Sequence, residues 1–273
     1  MLGLLYSMAE DVRIKTQGLG MSFSAPVGTS AVLRNLNIHV GHREFVSVLG
    51  PSGCGKSTLF NIIAGLIEPS EGTVTVDGRS DSSRVGQCGY MMQRDLLMPW
   101  KTVAANVALG RIVKGAPRTE ALNAAREILN RYGLGDFADH YPNQLSGGMR
   151  QRAALARTFL AAEDILLLDE PFGALDSLTR LRMQSWLLNV WQDSAASILF
   201  ITHDVDEAIR LSDRVYVLTE RPATVAVTLE VALERPRPYE IVLTPEFASY
   251  KATALDYLHT DAGALFGSDQ SSV

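Results

Sequence analysis

Eight residues constrain this chain more than any other segment: Gly50-Pro-Ser-Gly-Cys-Gly-Lys-Ser57. They fit the pattern G-x-x-x-x-G-K-[ST] at every fixed position. The run before them, Phe45-Val-Ser-Val-Leu49, reads as a short buried strand. After them, residues 59–67 carry apolar side chains at helical spacing and close near Pro69. A strand that feeds a helix through a glycine-rich loop points successive backbone N–H groups inward at a helix N-terminus, where a phosphate chain can be held. In this reading Gly50, Pro51, Ser52, Gly53, Cys54, Gly55 and Thr58 form the cradle. Lys56 supplies a point charge to the β- and γ-phosphates, and the Ser57 hydroxyl ligates Mg²⁺. The alternative is a glycine-rich turn that happens to carry Lys-Ser, and the flanking strand and helix weigh against it. Cys54 reads as a small loop residue rather than a reactive thiol.

A nucleotide site of this kind needs an acidic element. Ile165-Leu-Leu-Leu-Asp169-Glu170 is an apolar strand that delivers carboxylates at its C-terminal end. Asp169 is placed to hold Mg²⁺ and Glu170 to polarise an attacking water. Ile198-Leu-Phe-Ile-Thr-His203 ends another strand in a polar group, and His203 could reach the γ-phosphate, although a lone histidine at a strand end is often structural. These parts alone allow any P-loop ATPase or kinase.

The rest of the chain sorts by periodicity. The alternation of Leu33, Leu36, Ile38 and Val40 predicts a half-buried strand over residues 33–40, and residues 73–76 predict a strand ending in an Asp77-Gly78 turn. Residues 94–163 are helical in texture, with predicted helices at 103–109, 119–132 and 149–160. In the last, Met149, Ala153, Ala156 and Leu160 share a face. Strands at 165–168, 197–201 and 214–218 alternate with helices at 178–191 and 205–211, the pattern of parallel βαβ units. A further strand is expected at 224–229, a helix around 245–258 and a frayed tail at 267–273, with no internal repeat.

Composition limits the partners. With 25 Lys+Arg against 30 Asp+Glu the net charge is −5, which argues against holding nucleic acid on a basic surface. Two cysteines, Cys54 and Cys88, cannot frame a disulfide domain and point to a reducing compartment. No apolar run approaches the roughly 18–20 residues needed to cross a bilayer, and the apolar start lacks the basic flank of a signal peptide. A soluble, cytoplasmic chain is expected.

The segment Leu145-Ser-Gly-Gly-Met-Arg-Gln-Arg152 narrows the reading sharply. It lies about twenty residues before the Asp-Glu strand and resembles the signature sequence of the ABC-transporter ATPase family. Physically, Ser146 caps a helix whose first amides, from Gly147 and Gly148, form a second anion site. Arg150, Arg152 and Arg157 read as a solvated helix face. The resemblance implies an α/β fold: a RecA-like P-loop core with a parallel sheet, an N-terminal antiparallel β subdomain and an inserted α-helical subdomain. It runs from about residue 12 to 238 and gives one ATPase domain over 9–240 (core 9–93 and 164–240, helical subdomain 94–163), followed by a short helix and tail at 241–273. It further implies that Gln93 is the residue sensing Mg²⁺ and γ-phosphate, and that Asp176, in Ala174-Leu175-Asp176, belongs to the loop crossing a dimer interface. His203 is the switch histidine of the resemblance, and Phe23 stands where an aromatic stacks on adenine, a core aromatic near a hairpin being the competing reading. Two positions depart from the commonest family pattern: Met149 stands in place of Gln, and Gly173 in place of a frequent Ser.

Three stretches resemble the nitrate/sulfonate/taurine-type importer ATPases: Arg94-Asp-Leu-Leu-Met-Pro-Trp100-Lys-Thr-Val, Asp176-Ser-Leu-Thr-Arg-Leu-Arg-Met-Gln and Leu218-Thr-Glu-Arg-Pro222. The resemblance implies an ATPase using ATP and Mg²⁺, paired head to tail with a second copy of itself or a homologous subunit. It implies two transmembrane permease subunits contacting the chain near Gln93 to Trp100, an extracytoplasmic solute-binding protein beyond them, and a peripheral place on the cytoplasmic side of the membrane. Trp100 has a second reading, as packing between lobes. With 35 residues after Pro238, the maltose- and methionine-type importers, which carry a C-terminal regulatory domain, lose weight as expectations. The alternatives are another transport branch, such as a thiamine-precursor importer or an exporter, and a non-transport ABC ATPase. The latter usually carries two cassettes, a long coiled coil or zinc modules.

Overall fold

The computed structural model describes residues 12–24, 28–80, 84–162 and 164–266. By backbone contacts the chain forms two compact units. One runs to Val85 and resumes at Ser197; the other spans Gly86–Ala196.

The first unit holds two sheets. Strands β1 (Val12–Ser24), β2 (Thr29–Leu36), β3 (His39–Gly41) and β5 (Glu71–Val76) form an antiparallel sheet in which β1 pairs with all three others. The long first strand escapes a period-2 reading because Gly18 and Gly20 interrupt its alternation, and shifts of register absorb them. The predicted strand over 33–40 is divided into β2 and β3. Asn35 adopts φ 49°, and the Asn37 side chain turns back to accept a bond from the Gly18 N–H at 2.9 Å. Leu33, Leu36, Ile38 and Val40 are all buried nonetheless. The Asp77-Gly78 turn is as expected, with φ values of 47° and 73° and reciprocal bonds between Val76 and Arg79.

The second sheet of this unit has strands β4 (Phe45–Leu49), β8 (Ser197–Thr202), β9 (Arg214–Leu218) and β10 (Val225–Glu230) in the order β10-β9-β4-β8. β4 is parallel to β8 and β9, and β10 runs antiparallel on β9. β4 and β8 are buried at every position, which is why they read as continuous apolar runs. Helix α1 (Lys56–Ile63) stops sooner than the apolar spacing suggests because Gly65, at φ 76°, takes the left-handed position just past its end. Helices α7 (Val205–Leu211) and α8 (Pro245–Phe266) cover a cluster of Leu49, Ile209, Val217 and Phe247. Buried Arg237 donates to the carbonyls of Ile209, Ser212, Val231 and Leu233, tying the end of α7 to the segment that leads into α8.

The second unit has the parallel pair β6 (Gly89–Met91) and β7 (Ile165–Asp169) and helices α2 (Val103–Val107), α3 (Leu109–Val113), α4 (Arg118–Arg131), α5 (Gly147–Ala161) and α6 (Ser177–Gln192). The helix expected over 103–109 is two short ones. Ala153, Ala156 and Leu160 of α5 join Val107, Ala125 and Leu129 in one cluster, with Met149 packed against it, as the shared face predicts. This unit is broader than the helical segment 94–163, because Trp186 and Val190 of α6 pack on the same cluster and the Trp186 ring meets Tyr132 edge-on at 4.7 Å. No helix among the described residues is long and apolar enough to cross a membrane.

Candidate active site

In the first unit the functional side chains gather at one end of the parallel strands. Leu49 is in register with Thr202 and with Val217, so the loop after β4 and His203 after β8 leave the sheet side by side. The loop at 50–57 has the shape of a phosphate cradle. Gly53 has φ 79° and Gly55 φ 126°, and a Cβ on Gly55 would stand 2.8 Å from Val32 Cγ1 and Leu33 Cδ2. Only glycine fits there, and that fit delivers the first amides of α1, which have no acceptor within their own helix. Lys56 is buried, its Nζ donating to the carbonyls of Gly50 at 2.8 Å and Pro51 at 2.9 Å, so its charge sits across the loop. Pro51 and Thr58 are half-buried, and Ser52, Gly53 and Ser57 exposed. Burial pushes the Cys54 thiol up, against the pull of neighbouring Lys56, which fits an inert loop residue. A cavity of about 370 Å³ opens beside Pro51 to Cys54, with Glu220 and Arg221 on its other wall, which no local pattern marks.

His203 is exposed, and its turn is braced. The Thr202 hydroxyl bonds the Glu207 carboxylate and accepts from the Asp204 N–H, while Asp204 caps α7 by accepting from the Glu207 N–H at 3.1 Å. Phe23 lies on β1 opposite Ser30 and is 42% exposed, which removes the core-aromatic reading.

In the second unit Met91 is in register with Leu168, so Gln93 and Glu170 each follow two residues after that pair on adjacent strands. Their side chains meet: Gln93 Nε2 donates to Glu170 Oε2 at 3.4 Å. Gly89 lets α5 pack closely on β6, since a Cβ there would lie 2.7 Å from the Thr158 carbonyl oxygen. Asp169 is buried at the end of β7, and its charge adds to burial in pushing the Tyr90 hydroxyl pKa up. Glu170 has φ 45°, unusual for a residue with a side chain, and the turn is closed by the Gly173 N–H donating to its carbonyl at 3.1 Å.

Two helix N-termini share a cavity of about 490 Å³ in this unit. Ser146 caps α5, accepting from the Met149 N–H at 3.3 Å, and Asp176 caps α6, accepting from the Thr179 N–H at 3.0 Å. The bonds at Thr179 hold the Asp176 carboxyl below the usual range. Gly147 and Gly148 line the cavity with Arg152, Arg182 and Trp186, of which the last two were not anticipated.

The three arginines of α5 are not a solvated face. Arg150 pairs with Asp95 at 3.2 Å and bonds the Leu145 carbonyl, Arg152 donates to the Tyr132 carbonyl, and Arg157 donates to the carbonyls of Asp95 and Leu96. Burial lowers the Arg157 pKa. With buried Asn106, whose amide donates to the carbonyls of Met98, Lys101 and Thr102, Arg150 and Arg157 fix the loop that carries Trp100, which is 72% exposed.

The metal expectation is consistent with the donors present. No group of three His, Cys, Asp or Glu side chains that could hold a metal occurs among the described residues. Hydroxyl, amide and single carboxylate oxygens are hard donors of the kind Mg²⁺ takes together with phosphate; Ser57 offers the first in one unit, and Gln93 and Asp169 offer the others in the second.

A family model described as ABC transporter matches residues 33–173. A solved structure described as the dimeric post-hydrolysis state of an ATP-binding cassette bound to ADP and Pi is similar to this chain at 32% identity and TM-score 0.71, over 81% of this chain and 100% of that one. The chain therefore belongs to the ABC transporter family and is an ABC-type ATPase with a P-loop α/β fold. Within the family it is similar to the nitrate import ATP-binding protein of Synechocystis sp., 42% identical over 88% of this chain and 92% of that protein. It is also similar to the taurine import ATP-binding protein of Pseudomonas aeruginosa, 41% identical over 89% and 95%.

Proposed function

We propose that this chain is the ATP-hydrolysing subunit of an importer for a small anionic solute of the nitrate, sulfonate or taurine kind. Two copies, or this chain and a homologous subunit, pair head to tail around two MgATP. The one observation that carries the catalytic half is the meeting of Gln93 with Glu170 at the ends of β6 and β7. Phe23 stacks on the adenine. The loop amides, Lys56, Ser57 and Thr58 bind the phosphates, and the partner copy's signature helix covers the γ-phosphate with Ser146, Gly147 and Gly148, Asp176 lying at the same interface. Ser57, Asp169 and Gln93 would hold Mg²⁺, whose charge would offset that of the phosphates. Glu170 takes a proton from water as the water oxygen bonds to the γ-phosphorus. The bond from that phosphorus to the bridging oxygen breaks and ADP leaves with the electron pair. His203 and Lys56 steady the charge that develops.

The segment 94–163 is the helical subdomain that meets the permease, and it holds the chain at the cytoplasmic face of the membrane through protein contacts. What supports this is an exposed aromatic on a stiff loop, the kind of anchor that interfaces use. Trp100→Ala is expected to lower co-purification of the chain with two permease subunits from membranes. Undiminished capture, or capture of nucleic acid or ribosomes in place of the permease, would sink the reading.

A further inference from the structure

The start of α5 is built almost without side chains. Ser146 and Gly147 are exposed; beyond their own helix, a Cβ on Gly147 would meet nothing within 4 Å and one on Gly148 only the Thr179 methyl group, at 3.0 Å. Two glycines in succession give the backbone a freedom that packing here does not remove. The Ser146 cap closes the first turn on itself. Beyond the buried Leu145 side chain, what ties this start to the rest of its unit is Arg150. Its guanidinium folds back along the first turn, Nη1 donating to the Leu145 carbonyl at 2.8 Å and Nε to Asp95 Oδ2 at 3.2 Å. Asp95 is itself fixed: Oδ1 accepts from the N–H of buried Leu97 at 3.1 Å, and its carbonyl accepts from Arg157. A planar fork of donors can serve a carboxylate and a carbonyl in one fixed geometry.

We propose that Arg150 is a positioning residue for nucleotide-dependent pairing: anchored on Asp95, it pins the Leu145 carbonyl and so sets the direction of the Ser146, Gly147 and Gly148 amides. The inference rests on the reading of this start as the half-site that covers the partner copy's nucleotide. The carbonyl that Arg150 holds belongs to the residue directly before the cap, so its peptide plane carries the Ser146 N–H and turns with it. The Arg150 and Asp95 side chains are 37% and 30% exposed, and an ion pair so placed contributes little to global stability. Its effect is on the aim of the start, which neither glycine can hold alone.

The test is a double-variant cycle in the full Glu170→Gln chain, with pairing followed by solution mass as MgATP is added. Arg150→Met keeps the apolar stem and removes the donors; Asp95→Asn keeps the acceptor for the Leu97 N–H and removes the charge. Arg150→Met is expected to weaken MgATP-dependent pairing about tenfold, and the Arg150→Met/Asp95→Asn chain no further. ATP affinity of the unpaired chain should be unchanged, and the thermal unfolding midpoint should stay within about 2 °C. Undiminished pairing by Arg150→Met, losses that add in the double variant, or a fall in midpoint or ATP affinity that accompanies the loss would overturn the inference. A Glu170→Gln chain that never pairs would instead remove the half-site reading, whatever residue stands at 150.

Discussion

The two helix starts proposed to face a phosphate are built differently. At α1 the preceding loop is glycine with strained backbone, wedged against β2 so tightly that a Cβ on Gly55 would collide with two side chains, and a buried lysine lies across it. At α5 the cap is a neutral serine, a Cβ on Gly147 would touch nothing, and the glycines face an open cavity beside a second helix start capped by Asp176. The first brings its own charge and shape. The second supplies amides and accessible surface but no lysine of its own loop. In the proposed head-to-tail pair that difference suits two halves of a composite site, one to grip the phosphates and the other to cover them without competing for them.

Mutations at the two starts should separate accordingly. The largest effect belongs to Lys56→Ala, which removes the charge over the loop. ATP affinity, measured by titration, is expected to fall about a hundredfold, and unchanged affinity would break the contrast. Next come the glycines. Gly55→Ala combines φ 126° with contacts at 2.8 Å and should cost about 3 kcal/mol in denaturant unfolding. Gly147→Ala should stay within about 0.5 kcal/mol in stability while lowering ATPase turnover. Equal destabilisation by both would mean that the signature start is as tightly built as the phosphate loop.

The smallest effect lies away from both starts. His39 is held below its usual pKa by partial burial first and then by Arg214, so the unfolded chain takes up the proton before the folded one. Its contribution is therefore present above about pH 6.5 and shrinks as pH falls through the lowered folded value. His39→Gln should flatten that part of the stability–pH curve, and an unaltered curve would show that His39 does not contribute.

The contrast between the starts was largely legible in the sequence, because each is a contiguous pattern whose glycines, cap and flanking apolar run fall within a dozen residues. What was not legible depends on partners far along the chain. The Gln93–Glu170 contact follows from the register of β6 on β7, which no local spacing reveals. Arg157 looks like a surface residue until the carbonyls of Asp95 and Leu96, some sixty positions earlier, come to meet it. β1 went unread because its glycines are compensated by bulges that only the neighbouring strands define. Arg182 and Trp186 belong to the signature cavity through the packing of α6, and their helical spacing alone carried no hint of it.

The composite site is tested most directly by the mass of Glu170→Gln in solution with and without MgATP, read by light scattering after size separation together with bound nucleotide. A stable pair of chains holding two ATP is expected, formed only when ATP is present and lost when Ser146→Arg is added to block the signature start. A single chain that binds ATP with full affinity and never pairs would contradict it.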